Sequence, residues 1–336
     1  MAAYTLGWRR GMTVQVKHIA PDQVKSVLRA SQRALDQIPL DAHKTVSANE
    51  RKHMKYGLVV EDTDFRLVGE IAREAEQAGW DAIFIPDAVA IGMPGGPSIP
   101  WFDPWVVLAA IAMQTSRIQF GTFITPVSRR RPWKLARETV TLDHLSGGRL
   151  ILGVGLGAAE DDGGFNKVGE AMELKVRAKL MDEGLEILGG LWKGKPFSFK
   201  GEHYHVDKLT MLPRPVQSPR IPVWVVGVWP KEKSMTRTLQ WDGIIPQKYK
   251  ATPADTAKPG DIQAVAKFVS DRRSHRSPFE IIAGGMTLNR SRKLAVETVR
   301  SFRDAGATWW VESLWLTSPE RKDKLISRIK KGPPVI

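Results

Sequence analysis

Short apolar segments alternate regularly with longer amphipathic ones from Lys55 to Lys331. Apolar runs of strand length separated by helix-length segments are typical of βα units, in which helices connect parallel strands. Because right-handed crossovers keep helices outside and apolar strands inside, eight such units predict a closed (β/α)8 barrel, the TIM barrel of the α/β class. The eight strands are predicted at Tyr56–Glu61, Ala82–Pro86, Ile118–Phe123, Leu150–Gly155, Val223–Gly227, Gly243–Pro246, Glu280–Gly284 and Trp309–Ser313.

Helices are predicted between these strands, at Asp64–Ala78, Pro104–Thr115, Pro132–Leu145, Glu170–Trp192, Lys231–Gln240, Asp261–Arg273, Ser291–Ala305 and Pro319–Lys331. The alternation is interrupted once, between Trp192 and Pro222. There the alternating residues 197–199 and 203–205 flank a Lys-Gly pair, which predicts a short hairpin. The predicted architecture is therefore a TIM barrel over residues 54–336, with an insertion between its fourth and fifth strands.

Residues 1–53 lie outside this pattern and form a basic segment, with nine Lys or Arg and four Asp or Glu. Its one amphipathic stretch, Pro21–Ile38, spaces apolar residues at helical intervals. We expect a loosely ordered N-terminal extension with one surface helix. Met54 stands directly before the first strand, so the sequence leaves open whether translation begins there or upstream.

The chain carries 50 Lys or Arg against 36 Asp or Glu, a formal net charge of +14. Such an excess raises the hypothesis of a nucleic-acid or anion-binding module. The basic clusters at Arg129–Arg137 and Arg321–Lys331 fall in predicted helices with acids nearby. We interpret them as solvated helix faces, or as a general attraction for anionic cofactors, and expect no nucleic-acid partner. The DNA-binding hypothesis predicts instead an affinity that falls steeply with salt.

The sequence contains no cysteine, which excludes disulfides, thiolate nucleophiles and iron–sulfur ligation by this chain. No segment approaches the roughly 18 consecutive apolar residues that a membrane-spanning helix needs. No apolar stretch follows Arg9 and Arg10, so a secretory signal is not predicted. We expect a cytoplasmic protein without a membrane partner.

The segment from Arg129 to Gly157 reads RRRPWKLARETVTLDHLSGGRLILGVGLG, a helix that passes through a Gly-Gly turn into a buried strand. The chain leaves that strand on Gly155, Leu156 and Gly157. A strand ending in Gly-x-Gly frees backbone N–H groups and lets a flat or phosphorylated ligand approach the main chain. These three residues are therefore predicted to bind a cofactor.

The same segment resembles the signature region of the bacterial-luciferase-like oxidoreductases, whose members use FMN or the deazaflavin coenzyme F420. Matching phrases recur at Gln77–Asp81, Asp103–Trp105, Leu212–Gln217 and Trp241–Gly243, and the resemblance extends from about Lys55 to Val335. It implies a flavin-dependent monooxygenase that uses reduced FMN and O2 on a small organic substrate, with reduced FMN supplied by a separate flavin reductase. The alternative is F420-dependent hydride transfer. The resemblance also implies a homodimer.

In a barrel of this type the active site lies at the C-terminal ends of the strands. The end of the fifth strand is our prediction for cofactor phosphate, because Gly227 would let an anion approach while Val228, Trp229 and Lys231 lead into a helix N-terminus. At the end of the third strand, the family carries a bulge with a non-proline cis peptide beneath the ring. That feature maps onto Thr122 and Phe123, which are expected to form the ring platform.

Two acids are predicted at strand ends. Asp87 ends the second strand, where the family usually has Asp followed by His; here Ala88 follows it. The deazaflavin sugar-phosphate dehydrogenases place a catalytic Glu where this chain has Ala158 and Ala159. We therefore reject that particular activity. Glu312 is the second candidate catalytic acid if it points into the barrel; otherwise it forms a structural ion pair.

Tryptophan is frequent, with 12 residues, and large flat side chains at the barrel mouth would help to keep a cofactor dry. Trp101 and Trp310 are predicted to line the substrate pocket. Strand alternation requires that either Trp309 or Trp310 enters the barrel. The hairpin residues Glu202, His203 and His205 suggest a metal site because alternate strand positions share a face, but no third ligand joins the histidine pair on that face, so we predict no metal.

Overall fold

The computed structural model describes residues 54–60, 65–92, 98–158, 164–249, 257–274, 277–287, 290–313 and 326–336. The chain divides into two units, Met1–Lys52 and His53–Ile336. All described residues lie in the second unit, so the predicted N-terminal extension and its helix lie outside them.

Eight parallel strands close into a barrel, which confirms the predicted (β/α)8 fold. Around the ring, each strand pairs with the next in the order β1, β2, β5, β6, β9, β10, β11 and β12, and β12 pairs with β1. Their bounds are β1 Lys55–Val59, β2 Ala82–Ile85, β5 Gln119–Pro126, β6 Leu150–Gly155, β9 Val223–Trp229, β10 Gly243–Lys248, β11 Glu280–Gly285 and β12 Trp309–Ser313.

Two antiparallel pairs lie outside the barrel. One joins β3 (Ile91–Gly92) to β4 (Ser98–Ile99), and the other joins β7 (Phe197–Lys200) to β8 (His205–Leu209). The second pair is the hairpin predicted between the fourth and fifth barrel strands. Its turn is closed by the buried carboxylate of Glu183, which accepts hydrogen bonds from three successive backbone N–H groups, those of residues 202–204.

Several strands extend beyond their predicted ends. β5 continues to Pro126 across a shift in its pairing with β6, which falls between Thr122 and Thr125. β9 and β10 continue together, so that Trp229 pairs with Lys248. Each of these strands ends where its pairing with the neighbouring strand ends. The Gly or Pro residues in its own sequence do not show that position.

The described helices are α1 Phe65–Gln77, α2 Pro104–Gln114, α3 Pro132–Ser146, α4 Leu174–Leu191, α5 Glu232–Thr238, α6 Pro259–Arg272 and α7 Arg292–Asp304, and residues 326–330 are also helical. The Asp103 side chain caps α2 by accepting from the N–H groups of Trp105 and Val106. Gly147, with φ of 66°, ends α3. The predicted cap Asp64 lies outside the described residues. None of the described helices has the length and apolar character needed to cross a bilayer.

The apolar core has two layers separated by the barrel wall. The larger layer lies between the strands and the helices. The smaller fills the barrel and comprises Val59, Ala82, Phe84, Ile151, Trp224, Ile282, Trp309 and Val311. Trp309 is thus the tryptophan that enters the barrel, where its ring lies 4.9 Å from that of Trp224. Trp310 faces outward and packs 5.1 Å from Phe302 of α7.

Candidate active site at the barrel mouth

The floor of the barrel mouth is apolar. Phe123 packs against the interior cluster, and Ile124 and Val226 face the same space, because a Cβ added at Gly155 would lie 2.9 Å and 3.1 Å from their side chains. All three are partly exposed. Gly284 faces inward beside Ser313 and leaves room above the floor. Side chains alternate between the two faces of a strand, so Gln247 and Ser313 are the polar residues that face inward among the described strand ends. The described part of the floor therefore carries no charged side chain.

β5 carries the bulge that the resemblance predicted, but its cis peptide lies one residue further along the strand than expected. The non-proline cis peptide joins Phe123 to Ile124, whereas the resemblance placed it at Thr122–Phe123. Thr122 is fully buried, and its hydroxyl donates to the Gly153 carbonyl over 3.1 Å. The prediction for Thr122 is therefore wrong, because its side chain bonds within the barrel wall. Phe123 and Ile124, which the cis peptide joins, both lie on the apolar floor, and a ring platform at Phe123 stays a prediction.

Asp87 lies at the C-terminal end of β2, as predicted, and its buried carboxylate binds two arginines. Oδ1 lies 2.7 Å from Nη2 of Arg129 and 2.7 Å from Nη2 of Arg130. Oδ2 also accepts from Arg130 Nε, the Thr125 hydroxyl and Trp105 Nε1. With five donors around it, the carboxylate anchors the rim and has no position left for a substrate proton. The geometry thus contradicts a catalytic role for Asp87.

A cleft of about 350 Å³ opens beside this anchor. Trp101 lines it together with Ala88, Asp103 and the two arginines, and its role in binding a substrate stays a prediction. Burial lowers the pKa of Arg129, and the charge of Asp87 opposes that shift. The sequence marks Arg129 and Arg130 only as basic residues before a helix, so their pairing with Asp87 could not be read from it.

The glycine loop after β6 is held from outside by a buried arginine. Nη1 of Arg177, on α4, donates to the carbonyls of Leu156 and Gly157 over 2.9 Å and 2.8 Å. Gly157 has φ of 73°, and a Cβ there would lie 2.8 Å from Pro126. Only glycine therefore fits at this position. Burial lowers the pKa of Arg177, and sequence reasoning did not identify this residue.

At the end of β9, the N-terminus of α5 has no side-chain cap, so the N–H groups of its first turn, which are part of the predicted phosphate site, are unbonded within the described residues. The Val228 N–H donates to the Ser234 hydroxyl over 3.0 Å, and Gly227 faces the helical layer. Trp229 faces outward, 6.3 Å from the ring of Phe268. Lys231 places its ammonium 3.7 Å from the Tyr249 ring centroid. Trp229 therefore packs β9 against α6 and does not face the mouth, whereas alternation places the Val228 side chain on the inward face with Trp224, so cofactor binding at Val228 stays a prediction.

Glu312 and Trp310 also face away from the mouth, which contradicts their predicted roles. Glu312 is fully buried on the outer face of β12, where it accepts from Trp310 Nε1 over 2.8 Å. The hydroxyl of Thr287 lies 2.9 Å from each carboxylate oxygen, and the Thr287 N–H also donates to Oε1. Glu312 is therefore a structural carboxylate that ties the loop after β11 to the barrel wall.

His205 begins β8 and His203 lies in the turn before it, so both belong to the hairpin and not to the barrel sheet. Within the described ranges, no group of three or more His, Cys, Asp or Glu side chains is arranged to hold a metal ion.

Comparison with known proteins gives a consistent set of relatives. The family model described as luciferase-like monooxygenase matches residues 43–327. An uncharacterized protein of Mycobacterium tuberculosis is 27% identical over 269 residues, which cover 76% of this chain and 87% of that protein. The F420-dependent glucose-6-phosphate dehydrogenase of Nakamurella multipartita is 30% identical over 188 residues, 55% of this chain and 52% of the relative.

Among solved structures, the F420-dependent tetrahydromethanopterin reductase of Methanopyrus kandleri superposes with a TM-score of 0.66 at 15% identity. The match covers 83% of this chain and 98% of that one. At this identity the likeness shows the fold alone, and it agrees with the closed barrel.

Proposed function

The chain belongs to the luciferase-like monooxygenase family, and on that premise we propose that it binds a flavin-type ring over the mouth floor and oxidises or oxygenates a small organic substrate. The observation that carries this proposal is the floor itself, which is apolar, partly exposed and free of charged side chains among the described strand ends. Family membership makes it an oxidoreductase; the cofactor and the reaction are part of the proposal.

The residues present fit such a ring. Phe123 and Ile124 offer a partly exposed apolar surface, and the inward Gly284 leaves space above it. Beside the floor, the N–H groups of the Gly155–Gly157 loop stand at the same rim of the barrel. Flat apolar ligands with a few polar edges are bound in concave sites of this composition.

Reduced FMN, when bound, would supply the two electrons that activate O2, so that one oxygen atom enters the substrate and the other leaves as water. The side chains contribute binding, orientation and exclusion of water. Phe123, Ile124 and Val226 keep water from the lower face of the site, and Asp87 fixes the rim by holding Arg129 and Arg130. Because the described floor lacks an acid or base, this arrangement favours chemistry that needs a dry site over chemistry that needs a fixed general base.

The second candidate is hydride transfer with F420. It is favoured by the 30% identity to an F420-dependent dehydrogenase over about half of each chain. Two departures separate this chain from the sugar-phosphate dehydrogenases, Ala88 in place of His and Ala158 at the position of the catalytic Glu. We therefore propose that, if F420 is the cofactor, the substrate is not a sugar phosphate.

A titration tests the proposal. Absorbance or fluorescence would follow binding of FMN, reduced FMN under anaerobic conditions, and F420. We expect one of them to bind with a low micromolar Kd, and Val226→Asp to weaken that binding at least tenfold. The matched control is Val216→Asp, since Val216 is 48% exposed and lies in the Pro-rich segment after the hairpin. If none of the three cofactors binds, the proposed function is wrong.

We also propose a homodimer that forms through α2. This helix contains no charged residue, and its exposed side includes Val106 and Met113, one heptad apart and 72% and 70% exposed. Exposed apolar side chains on one helical face are typical of a subunit interface. Light scattering should show a dimer for the wild type and a monomer for Val106→Glu; a monomeric wild type would contradict the proposal. With FMN as cofactor, a separate flavin reductase would be a further partner.

A further inference from the structure

A cavity of about 370 Å³ lies at the end of the barrel opposite the mouth. Four of the residues that line it are the first residues of β1, β5, β11 and β12, namely Lys55, Gln119, Glu280 and Trp309. Parallel strands all begin at one end of a barrel, and the active site of a barrel of this type lies at the other end. The cavity is therefore distinct from the candidate active site.

Aromatic side chains fill the barrel between its two ends. The rings of Phe123, Phe84, Trp224 and Trp309 follow one another, with successive centroids 5.5 Å, 5.4 Å and 4.9 Å apart. Phe123 lies at the mouth floor, whereas the two tryptophans line the cavity. The interior of such a barrel is a packed core and not a pore. A molecule in the cavity therefore enters from the N-terminal face and does not reach the mouth through the barrel.

The inner wall of the cavity is apolar and contains one hydrogen-bond donor. Trp224, Trp309 and Ile151 form this wall, and each is only 1–2% exposed. The Nε1 of Trp309 is buried and has no hydrogen-bond partner among the described residues. A buried donor without an acceptor is costly, so a ligand that places an oxygen atom beside it gains affinity. The wall therefore suits a flat apolar body that carries an acceptor.

The rim of the cavity carries an excess of positive charge. Among the described lining residues, three cations face two carboxylates, namely Lys55, Arg220 and Arg273 against Asp242 and Glu280. Arg220 and Asp242 bind each other through two hydrogen bonds of 3.1 Å and 3.0 Å. Glu280 approaches Lys55 only to 4.0 Å, so the ammonium keeps donors for a ligand. That ammonium lies 5.2 Å from the centroid of the Trp309 ring, within reach of an anion bound beside the ring.

We propose that this cavity is a second ligand site, which binds a small organic carboxylate with a flat apolar body. The body lies against Ile151 and the two tryptophans, and the carboxylate pairs with Lys55 and accepts from Trp309 Nε1. The volume falls near the lower end of the range of small-molecule sites, so the ligand has one or two rings. This site goes beyond the proposed function and uses none of the residues of the mouth.

The test compares benzoate with its uncharged analogue benzamide by calorimetric titration of the full chain. Wild type should bind benzoate at least about tenfold more tightly. Lys55→Met should lose most of that preference and bind benzamide as wild type does, while Lys55→Arg should keep more of it. Glu280→Gln should bind benzoate about threefold more tightly, because it removes the carboxylate that competes for Lys55. A wild type without the preference, or equal losses for both compounds in Lys55→Met, would overturn the inference.

Lys330→Met is the matched control, because Lys330 is 57% exposed and lies 3.8 Å from Glu74 but does not line the cavity. It should leave the preference unchanged. The position of the site is tested by NMR of the tryptophan side chains, in which benzoate should shift the indole signal that Trp309→Phe removes. Val226→Asp alters the mouth and should leave benzoate binding unchanged. If Val226→Asp abolishes benzoate binding, the acid binds at the mouth, and the inference fails while the proposed function stands.

Discussion

Replacing Asp87 with asparagine removes the buried carboxylate that pairs with both Arg129 and Arg130 at the rim. The Asp87 side chain is fully buried, and those of the two arginines are 7% and 18% exposed. In Asp87→Asn the amide nitrogen or oxygen must face guanidinium groups that remain charged and largely desolvated. The variant therefore removes the carboxylate that lies 2.7 Å from each of two largely buried cations, while Arg130 keeps its longer contact with Asp103, at 3.6 Å.

Breaking a buried ion pair by removing one partner costs about 3–5 kcal/mol. Unfolding entropy near ~2.1 cal/mol/K per residue, over the roughly 280 residues of the second unit, gives about 0.6 kcal/mol/K. The expected fall in Tm for Asp87→Asn is therefore about 5–8 °C. Urea unfolding should show the same loss as a lower midpoint with an unchanged slope.

Asp182→Asn is the matched control for this measurement. Asp182 also pairs with an arginine, Arg237, but its side chain is 47% exposed. Exposed ion pairs contribute about 0–1 kcal/mol, so this variant should lower Tm by no more than about 2 °C. A loss below about 1 kcal/mol in Asp87→Asn, or equal losses in the two variants, would refute the view that Asp87 anchors the rim.

Three further predictions concern Glu312, Glu183 and Gly157. Glu312→Gln should lower the free energy of unfolding by about 1–3 kcal/mol and change kcat/KM less than twofold; a large loss of turnover at unchanged stability would restore its catalytic role. Glu183 has a lowered pKa because its bonds to backbone N–H groups outweigh the opposing effect of burial. The stability it contributes is present above its unfolded pKa of about 4.3 and is lost as pH falls through its lower folded pKa. Glu183→Gln should thus be less stable than wild type at pH 7, and urea titrations should show the gap closing below about pH 4; a constant gap would contradict this. Gly157→Ala should destabilise more than Gly169→Ala in thermal melts, because both have φ of 73° but only Gly157 is crowded.

Much of the fold follows from the order of residues alone. Apolar segments of strand length predict all eight barrel strands, and β6 and β12 have the predicted bounds. The family resemblance places a bulge on β5, alternating residues predict a hairpin before β9, and both are present. These features depend on local pattern, which the sequence carries directly.

The order of residues alone did not determine which way the side chains at the rim point. Alternation shows that Trp309 and Trp310 lie on opposite faces of β12, yet it cannot tell which face is inside. The closed ring decides this, because the interior admits Trp309 beside Trp224 while Trp310 fills space against Phe302. Glu312 then faces outward with Trp310, and its predicted catalytic role is lost.

Partners distant in the chain are likewise a matter of tertiary structure. Asp87 meets arginines 42 and 43 residues later, and Arg177 meets carbonyls 20 and 21 residues earlier. Such contacts depend on where barrel closure brings the strand ends and the helices. The sequence by itself therefore determined the barrel and the glycine loop at its rim, because periodicity and glycine act locally. Only the closed structure decided which polar groups are left over to meet a ligand, because a group is free only when no distant residue has bonded to it.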